Sequence, residues 1–253
     1  MIKIENLNFK FDGDIIFKNA NIEIPKGKIT VILGANGAGK STLLKIITKN
    51  LKSDCAVQNT FKNMFYLPQN PYYPNGITVF DYLSFTFFKN GWKWFLNDSE
   101  KEKVYNVLEM LEMLDKKDLN LENLSAGEFQ KANIGLGLLS SAELFLLDEP
   151  ASNMDLINEI KIFDTLRKLL YDWVTSVLIM HDINLAANFG DYFIGIKKPH
   201  SGSSLNNNGK NTDGAVIQAG KDEFFTKENL REIYGIDFEI LKTNGKFYIQ
   251  IVN

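Results

Sequence analysis

Gly34 to Thr42 read GANGAGKST, preceded by the apolar run Val31-Ile32-Leu33 and followed by LLKII. Gly34, Gly39, Lys40 and Ser41 meet the pattern G-x-x-x-x-G-K-[ST], between a strand-like and a helix-like segment. The residues KITVIL (28–33) are β-branched and apolar on both faces, as in a strand buried within a parallel sheet. A helix is expected from Lys40 to about Lys49. The glycines let the backbone wrap tightly, so that successive N–H groups of residues 34–39 point inward at an anion. The helix that follows adds its positive N-terminal end. Lys40 can then reach a nucleotide's β- and γ-phosphates, and the Ser41 hydroxyl can ligate Mg²⁺. An ordinary glycine-rich turn has no need of Lys-Ser at those two places.

Outward from this loop, LFLLDEP (144–150) predicts a second doubly buried strand. Asp148 emerges at its C-terminal end, where open α/β sheets bind ligands. A carboxylate there suits Mg²⁺ held through water. Glu149 is either a solvated strand-end acid or the acceptor of a proton from an attacking water. TSVLIMHD (175–182) predicts a third buried strand ending at His181. That places the histidine on the same sheet edge as Lys40 and Asp148, as a donor to a γ-phosphate or as a structural residue. In LSAGEFQK (124–131), Ser125 and Glu128 form an S-x-x-E capping box, with Gly127 leaving the first helical turn uncovered. Such a helix end can hold a phosphate.

The remaining segments complete an α/β plan. Residues 2–9 and the stretch NIEIP predict strands before the Lys26-Gly27 turn, and NMFYLPQ (63–69) a strand ending at Pro68. Residues 78–119 read as helical and unusually aromatic, and 157–173 and 183–189 as helices. YFIGIKK and GAVIQAG pair as antiparallel strands. A helix after Thr226 stops at Gly235, and Asn244-Gly245 turns a final hairpin. The segment 199–214 has almost nothing to bury and reads as a mobile loop, with His200 solvated.

Composition sets bounds. The chain has 253 residues, 45% hydrophobic, enough for one sizeable core. A net charge of −3 argues against a nucleic-acid backbone as main partner. The single cysteine, Cys55, excludes an internal disulfide and fits a reducing compartment. The N-terminal residues lack the apolar core of a signal peptide, and no apolar run approaches the roughly 20 residues of a membrane span. These features predict a soluble, cytosolic chain that works at a membrane only if another protein holds it there.

Taken in order, GANGAGKST, LPQ, LSAGE, LFLLDEP, SNMD and MHD resemble the nucleotide-binding subunit of ABC transporters over nearly the whole chain. The resemblance implies a single domain, 1–253, with a P-loop NTPase core, a mainly parallel sheet, an antiparallel β layer and a helical subdomain at about 72–136. A C-terminal helix and hairpin occupy about 226–253. It implies an ATP-bound homodimer, each ATP lying between one subunit's phosphate loop and the other's LSAGE helix. ATP then contacts Gly34, Ala35, Asn36, Gly37, Ala38, Gly39, Lys40, Ser41 and Thr42. Phe11 stands where a ring stacks on adenine, and Ser125 and Gly127 face the partner's γ-phosphate. Gln69 and Asp148 join Ser41 around Mg²⁺, Glu149 is the catalytic base, His181 the switch histidine, and Asp155 communicates across the dimer.

The same resemblance implies two permease subunits, an indirect substrate-binding protein and a place on the cytoplasmic face of the cell membrane. The aromatic stretch from Pro71 to Trp94 corresponds to the groove that receives a permease helix. HDINLAANFGD and GKDEFFTKENLREIYGIDFEI are similar to the ATPases of importers for iron chelates, haem and cobalamin. The signature departs at Ala126 and Glu128, and the stretch 50–66 is short, so the antiparallel subdomain is expected to be reduced. Competing readings are an ATP-gated dimerising module with little turnover, the ATPase of an exporter, and a DNA-repair or translation ATPase. The last lacks support in a chain with one nucleotide domain, no coiled-coil insertion and no basic face.

Overall fold

The structure is a computed structural model that describes residues 1–88, 95–152, 154–170, 174–198 and 216–252. The chain divides into two compact units, Met1–Phe61 with Trp173–Asn253, and Lys62–Asp172. The expected loop at 199–214 with His200, and the residues Trp92, Trp94, Asn153, Trp173 and Gly214, lie outside the described residues.

In the first unit, β1 (Ile2–Phe11), β2 (Asp14–Ile24), β3 (Ile29–Leu33) and β4 (Val57–Asn59) alternate with turns. A three-stranded antiparallel layer has the order β2-β1-β4. Asp12 and Gly13 take φ of 48° and 91°, the two left-handed positions of a type I′ turn, and Phe11 pairs with Asp14 across it. β2 is therefore much longer than the NIEIP strand read from the sequence. Bulges hid its first half, because they break the alternation that marks a strand. Asn6 and Asn19 sit at those irregularities with positive φ, and their N–H groups are taken by the side chains of Asn21 and Asn8, each at 2.9 Å. The short stretch after the phosphate-loop helix supplies β4, which pairs with the start of β1.

β3 lies between β7 (Thr175–Ile179) and β8 (Tyr192–Ile196), parallel to both, and β9 (Val216–Gly220) closes this edge antiparallel to β8. β3 and β7 are buried at every position, and removing their valine, isoleucine and leucine side chains from water stabilises by about 1.5–3 kcal/mol each. α1 (Lys40–Ile47) follows β3 and is ended by Lys49 at φ 60°. α6 (Ile183–Phe189) is capped by Asp182, whose carboxylate accepts from Leu185 N–H at 2.9 Å. α7 (Lys221–Phe224), absent from the sequence reading, and α8 (Lys227–Tyr234) lead to the hairpin β10 (Phe238–Thr243) and β11 (Lys246–Ile251). Two side chains of α6 grip this hairpin. The Asn184 amide donates to the Ile249 carbonyl (2.9 Å) and accepts from its N–H (2.7 Å). Asn188 does the same with Phe247, at 3.0 and 3.2 Å.

In the second unit, β5 (Met64–Leu67) runs parallel to β6 (Leu144–Asp148), in register from Met64–Leu144 to Leu67–Leu147. The helical stretch 78–119 is not continuous. α2 (Val79–Ser84) passes into one 3-10 turn at Phe85–Phe87, and α3 (Asp98–Met110) starts afresh. Asn97 and Glu100 form a full capping box there, which restarts the backbone hydrogen bonding. α4 (Ala126–Leu139) and α5 (Leu156–Leu170) follow. α2, α3 and α4 enclose a core of Val79, Leu83, Val104, Leu108, Phe129 and Ala132. One polar pair crosses it: the Tyr82 hydroxyl donates to Asn133 Oδ1 at 2.7 Å, and the Asn133 amide donates to the Phe129 carbonyl. Among the described residues, no helix is long and apolar enough to cross a membrane.

Candidate functional site

The first unit holds the phosphate loop. Gly34, Gly37 and Gly39 take φ of 153°, 78° and 103°, a path that side chains resist. Packing adds a second reason at both ends. A Cβ on Gly34 would lie 2.5 Å from the Ile196 carbonyl oxygen, and one on Gly39 2.4 Å from the Ile16 side chain. Ala38 is fully buried and its N–H bonds the Ala35 carbonyl at 3.1 Å. Ala35 is half-buried, and Asn36 and Gly37 are exposed, so the crown of the loop faces outward. Lys40 is buried, and its ammonium donates to the carbonyls of Gly34 (2.9 Å) and Ala35 (3.2 Å). Ser41 and Thr42 sit half-buried in the first turn of α1. The base of the loop is thus closely packed, with the lysine ammonium folded against its carbonyls.

His181 leaves the sheet beside this loop. Ile32 pairs with Ile179, so Gly34 and His181 are level two residues further on, at the same ends of parallel strands. His181 is exposed. Phe11 ends β1 at the type I′ turn, with its ring 58% exposed and free to stack.

The second unit carries the carboxylates. Asp148 is buried at the end of β6. Tyr66, on β5, faces it, and burial together with the Asp148 charge pushes the phenol up to about 12. Glu149 takes φ 52°, an uncommon conformation for a residue with a side chain. Gln69 stands level with it and donates its amide to Glu149 Oε2 at 2.6 Å. Ser125 caps α4: its hydroxyl accepts from Glu128 N–H (3.3 Å), and Glu128 Oε2 accepts from Ser125 N–H (2.9 Å). Lys116 donates to the other carboxylate oxygen of Glu128 and, with the capping bonds, holds that carboxyl below the usual glutamate range. Sequence reading found the capping box and missed Lys116, which lies in a separate 3-10 turn. Around Gly127 a Cβ would meet no atom within 4 Å. Asp155 caps α5, accepting from Asn158 N–H at 2.9 Å and its side-chain amide at 2.8 Å.

A strand, a wrapped glycine loop, a lysine and a helix define a protein of the P-loop class. The model of the ABC transporter family matches residues 17–152. The iron(3+)-hydroxamate import ATP-binding protein FhuC of Bacillus subtilis is 32% identical over 95% of this chain and 90% of its own length. The petrobactin import ATP-binding protein YclP of the same organism is 28% identical over 95% of each. Among solved structures, a chain of an inward-facing ABC transporter assigned to the metal-chelate type superposes with a TM-score of 0.80, at 20% identity, over 99% of this chain and 96% of its own. The chain belongs to the ABC transporter family, as an ATP-binding subunit whose ATP hydrolysis is coupled to transport.

Proposed function

We propose that the chain is the energy-supplying subunit of a membrane importer for a metal chelate, such as an iron-siderophore, haem or cobalamin. The observation that carries ATP chemistry is the phosphate loop, with three glycines at positive φ and a buried lysine at its base. The import reading rests on similarity to the hydroxamate and petrobactin proteins across nearly the full chain.

In this reading the loop amides and α1 bind the phosphates of ATP, Lys40 leaves the loop carbonyls for the β- and γ-phosphates, and Phe11 stacks on adenine. Ser41, Gln69 and Asp148 offer the hard oxygen donors that suit Mg²⁺. When bound there, the ion would supply positive charge to the phosphate groups. Glu149 accepts the proton of the water that attacks the γ-phosphorus, and His181 donates to the γ-phosphate.

Two chains form the ATP-bound dimer. Ser125 and Gly127 of each reach the other's γ-phosphate, and Asp155 reports across the pair. The open space around Gly127 supports this, because no described residue of its own chain comes within 4 Å of where a Cβ would lie. Two permease subunits dock at the aromatic region after Gln69, on the cytoplasmic face of the membrane, and a substrate-binding protein delivers the cargo. Tyr82 lies in the core and Tyr73 packs on Phe129, whereas Tyr72, Phe85 and Phe95 are exposed. Ile77, Phe80, Phe85 and Phe88 line a cleft of about 480 Å³, an apolar surface of the kind that receives a partner. A single domain over 1–253 fits this reading.

The test is co-purification of the chain with its permease, followed by chelate uptake in reconstituted vesicles. Uptake that needs both ATP and the chain supports import. Release from the vesicles in its place overturns it.

A further inference from the structure

The first turn of α4 carries a negative charge of its own. Ser125 and Ala126 are exposed, and Gly127 and Glu128 half-buried. Backbone N–H groups at a helix start favour anions. Glu128, the third residue of the helix, puts a carboxylate into that same turn. In the capping box this charge stabilises the helix, but beside an incoming phosphate it repels.

Both oxygens of the carboxylate are held. Oε2 accepts from the Ser125 N–H at 2.9 Å, and Oε1 accepts from the Lys116 ammonium. Lys116 comes from the 3-10 turn Leu114–Lys116, twelve positions before Glu128. That turn is fixed independently of the ion pair. Met113 is buried, and its N–H donates to the Leu108 carbonyl at 2.8 Å. The Lys116 N–H donates to the Met113 carbonyl, and the Lys116 carbonyl accepts from the Leu119 N–H, each at 3.0 Å. Neighbouring cations are engaged elsewhere: Lys131, one turn along α4, donates to the Leu111 carbonyl at 3.1 Å, and Lys117 pairs with Asp118. The side chains of Lys116 and Glu128 are 30% and 27% exposed. An ion pair open to water adds little to stability, so stability alone gives little reason for a lysine there.

We propose that Lys116 is a positioning residue for the ATP-bound dimer: by neutralising Glu128 in place, its ammonium leaves the start of α4 open to the γ-phosphate held by the partner chain. The carboxylate keeps its capping bond to Ser125, and its repulsion of the phosphate is cancelled. Glu128 titrates below the usual glutamate range, so it stays ionised and its charge is offset by the lysine and not by a proton. The inference rests on the reading in which two chains enclose ATP between a phosphate loop and the Ser125–Gly127 turn.

The test uses the full chain carrying Glu149→Gln, in which Mg·ATP is expected to hold the dimer. The dimer dissociation constant is measured by analytical ultracentrifugation at saturating Mg·ATP. Nucleotide affinity is measured with a fluorescent nucleotide on chain too dilute to dimerise. Lys116→Met should weaken dimerisation about tenfold, a like-charge repulsion between its size in water and at a protein surface, and leave nucleotide affinity unchanged. The loss should shrink at high salt. Lys116→Arg should keep tight dimerisation. Glu128→Gln added to Lys116→Met should restore it, because glutamine keeps the capping bond without the charge. A lysine that merely braced the helix would not be replaced in this way. An unweakened dimer in Lys116→Met, or a weakened one that Glu128→Gln fails to restore, overturns the role of Lys116 alone. If the Glu149→Gln chain forms no dimer with Mg·ATP, the dimer reading falls and the proposal falls with it.

Discussion

Gln69 donates its side-chain amide to Glu149 at 2.6 Å, and Glu149 makes this contact from a left-handed backbone conformation. The pair joins the end of β5 to the end of β6, two residues beyond the last paired residues. A carboxylate that accepts a hydrogen bond has one lone pair fewer for a water. In the proposed mechanism, release of Gln69 is therefore part of making Glu149 available as a base. Glu149→Gln should keep the geometry and lose the proton acceptor. Size-exclusion chromatography with Mg·ATP is expected to show a stable dimer, and phosphate release to collapse. Hydrolysis at the wild-type rate would remove Glu149 from the mechanism.

Lys40→Ala should abolish useful ATP binding. The ammonium contributes charge-assisted contacts of roughly 1.5–3 kcal/mol each. Its present partners, the Gly34 and Ala35 carbonyls, sit in the loop that opens toward solvent at Asn36 and Gly37. Calorimetric titration with Mg·ATP checks this.

Tyr82→Phe should destabilise the second unit without touching a phosphate contact. The change leaves Asn133 Oδ1 without its 2.7 Å donor inside a closed core. An unsatisfied buried acceptor costs about 1–3 kcal/mol. Urea denaturation should show a lower midpoint at an unchanged slope, and replacing Asn133 with leucine in the same variant should recover part of the loss.

The Glu128 carboxyl titrates below its ordinary value because Lys116 and the Ser125 cap favour the charged form. A lowered folded-state pKa stabilises fully above the unfolded pKa of about 4.3 and is lost as pH falls through the folded value. The wild type should therefore lose melting temperature faster than Glu128→Ala between roughly pH 5 and 3. The difference should be small, because the pair is partly exposed. Parallel pH profiles would remove Glu128 from the cap's stability.

Charged substitutions at Phe80 and Phe85 should spare ATP binding and disrupt assembly with the permease. Phe85 is 48% exposed and both rings line the cleft of the second unit. Pull-down of the membrane subunits by each variant is the check, and undiminished assembly would place docking elsewhere.

What could be read in the sequence followed a local rule. The wrapped loop, the doubly buried strands and the Ser125–Glu128 box each span fewer than ten residues and carry their own chemistry. The Asp12-Gly13 turn had an equally local signal, yet the bulges at Asn6 and Asn19 masked the strands around it. Helical pattern ran through Asn97 because apolar spacing continues where hydrogen bonding restarts. Contacts between distant segments left no local trace. Lys116 reaches Glu128 and Gln69 reaches Glu149 only once the chain has folded.

The two asparagines of α6 have an effect on solubility as well. Their amides take the outward N–H and C=O groups of Phe247 and Ile249, groups that a bare edge strand would offer to any passing chain. Two side chains on a helix thus do the work of a neighbouring strand and close that side of β11 to strand-on-strand polymerisation. Replacing both with alanine should leave a hairpin with a sticky margin. Such a variant would reveal itself in concentrated solution, by light scattering, before any loss of catalysis.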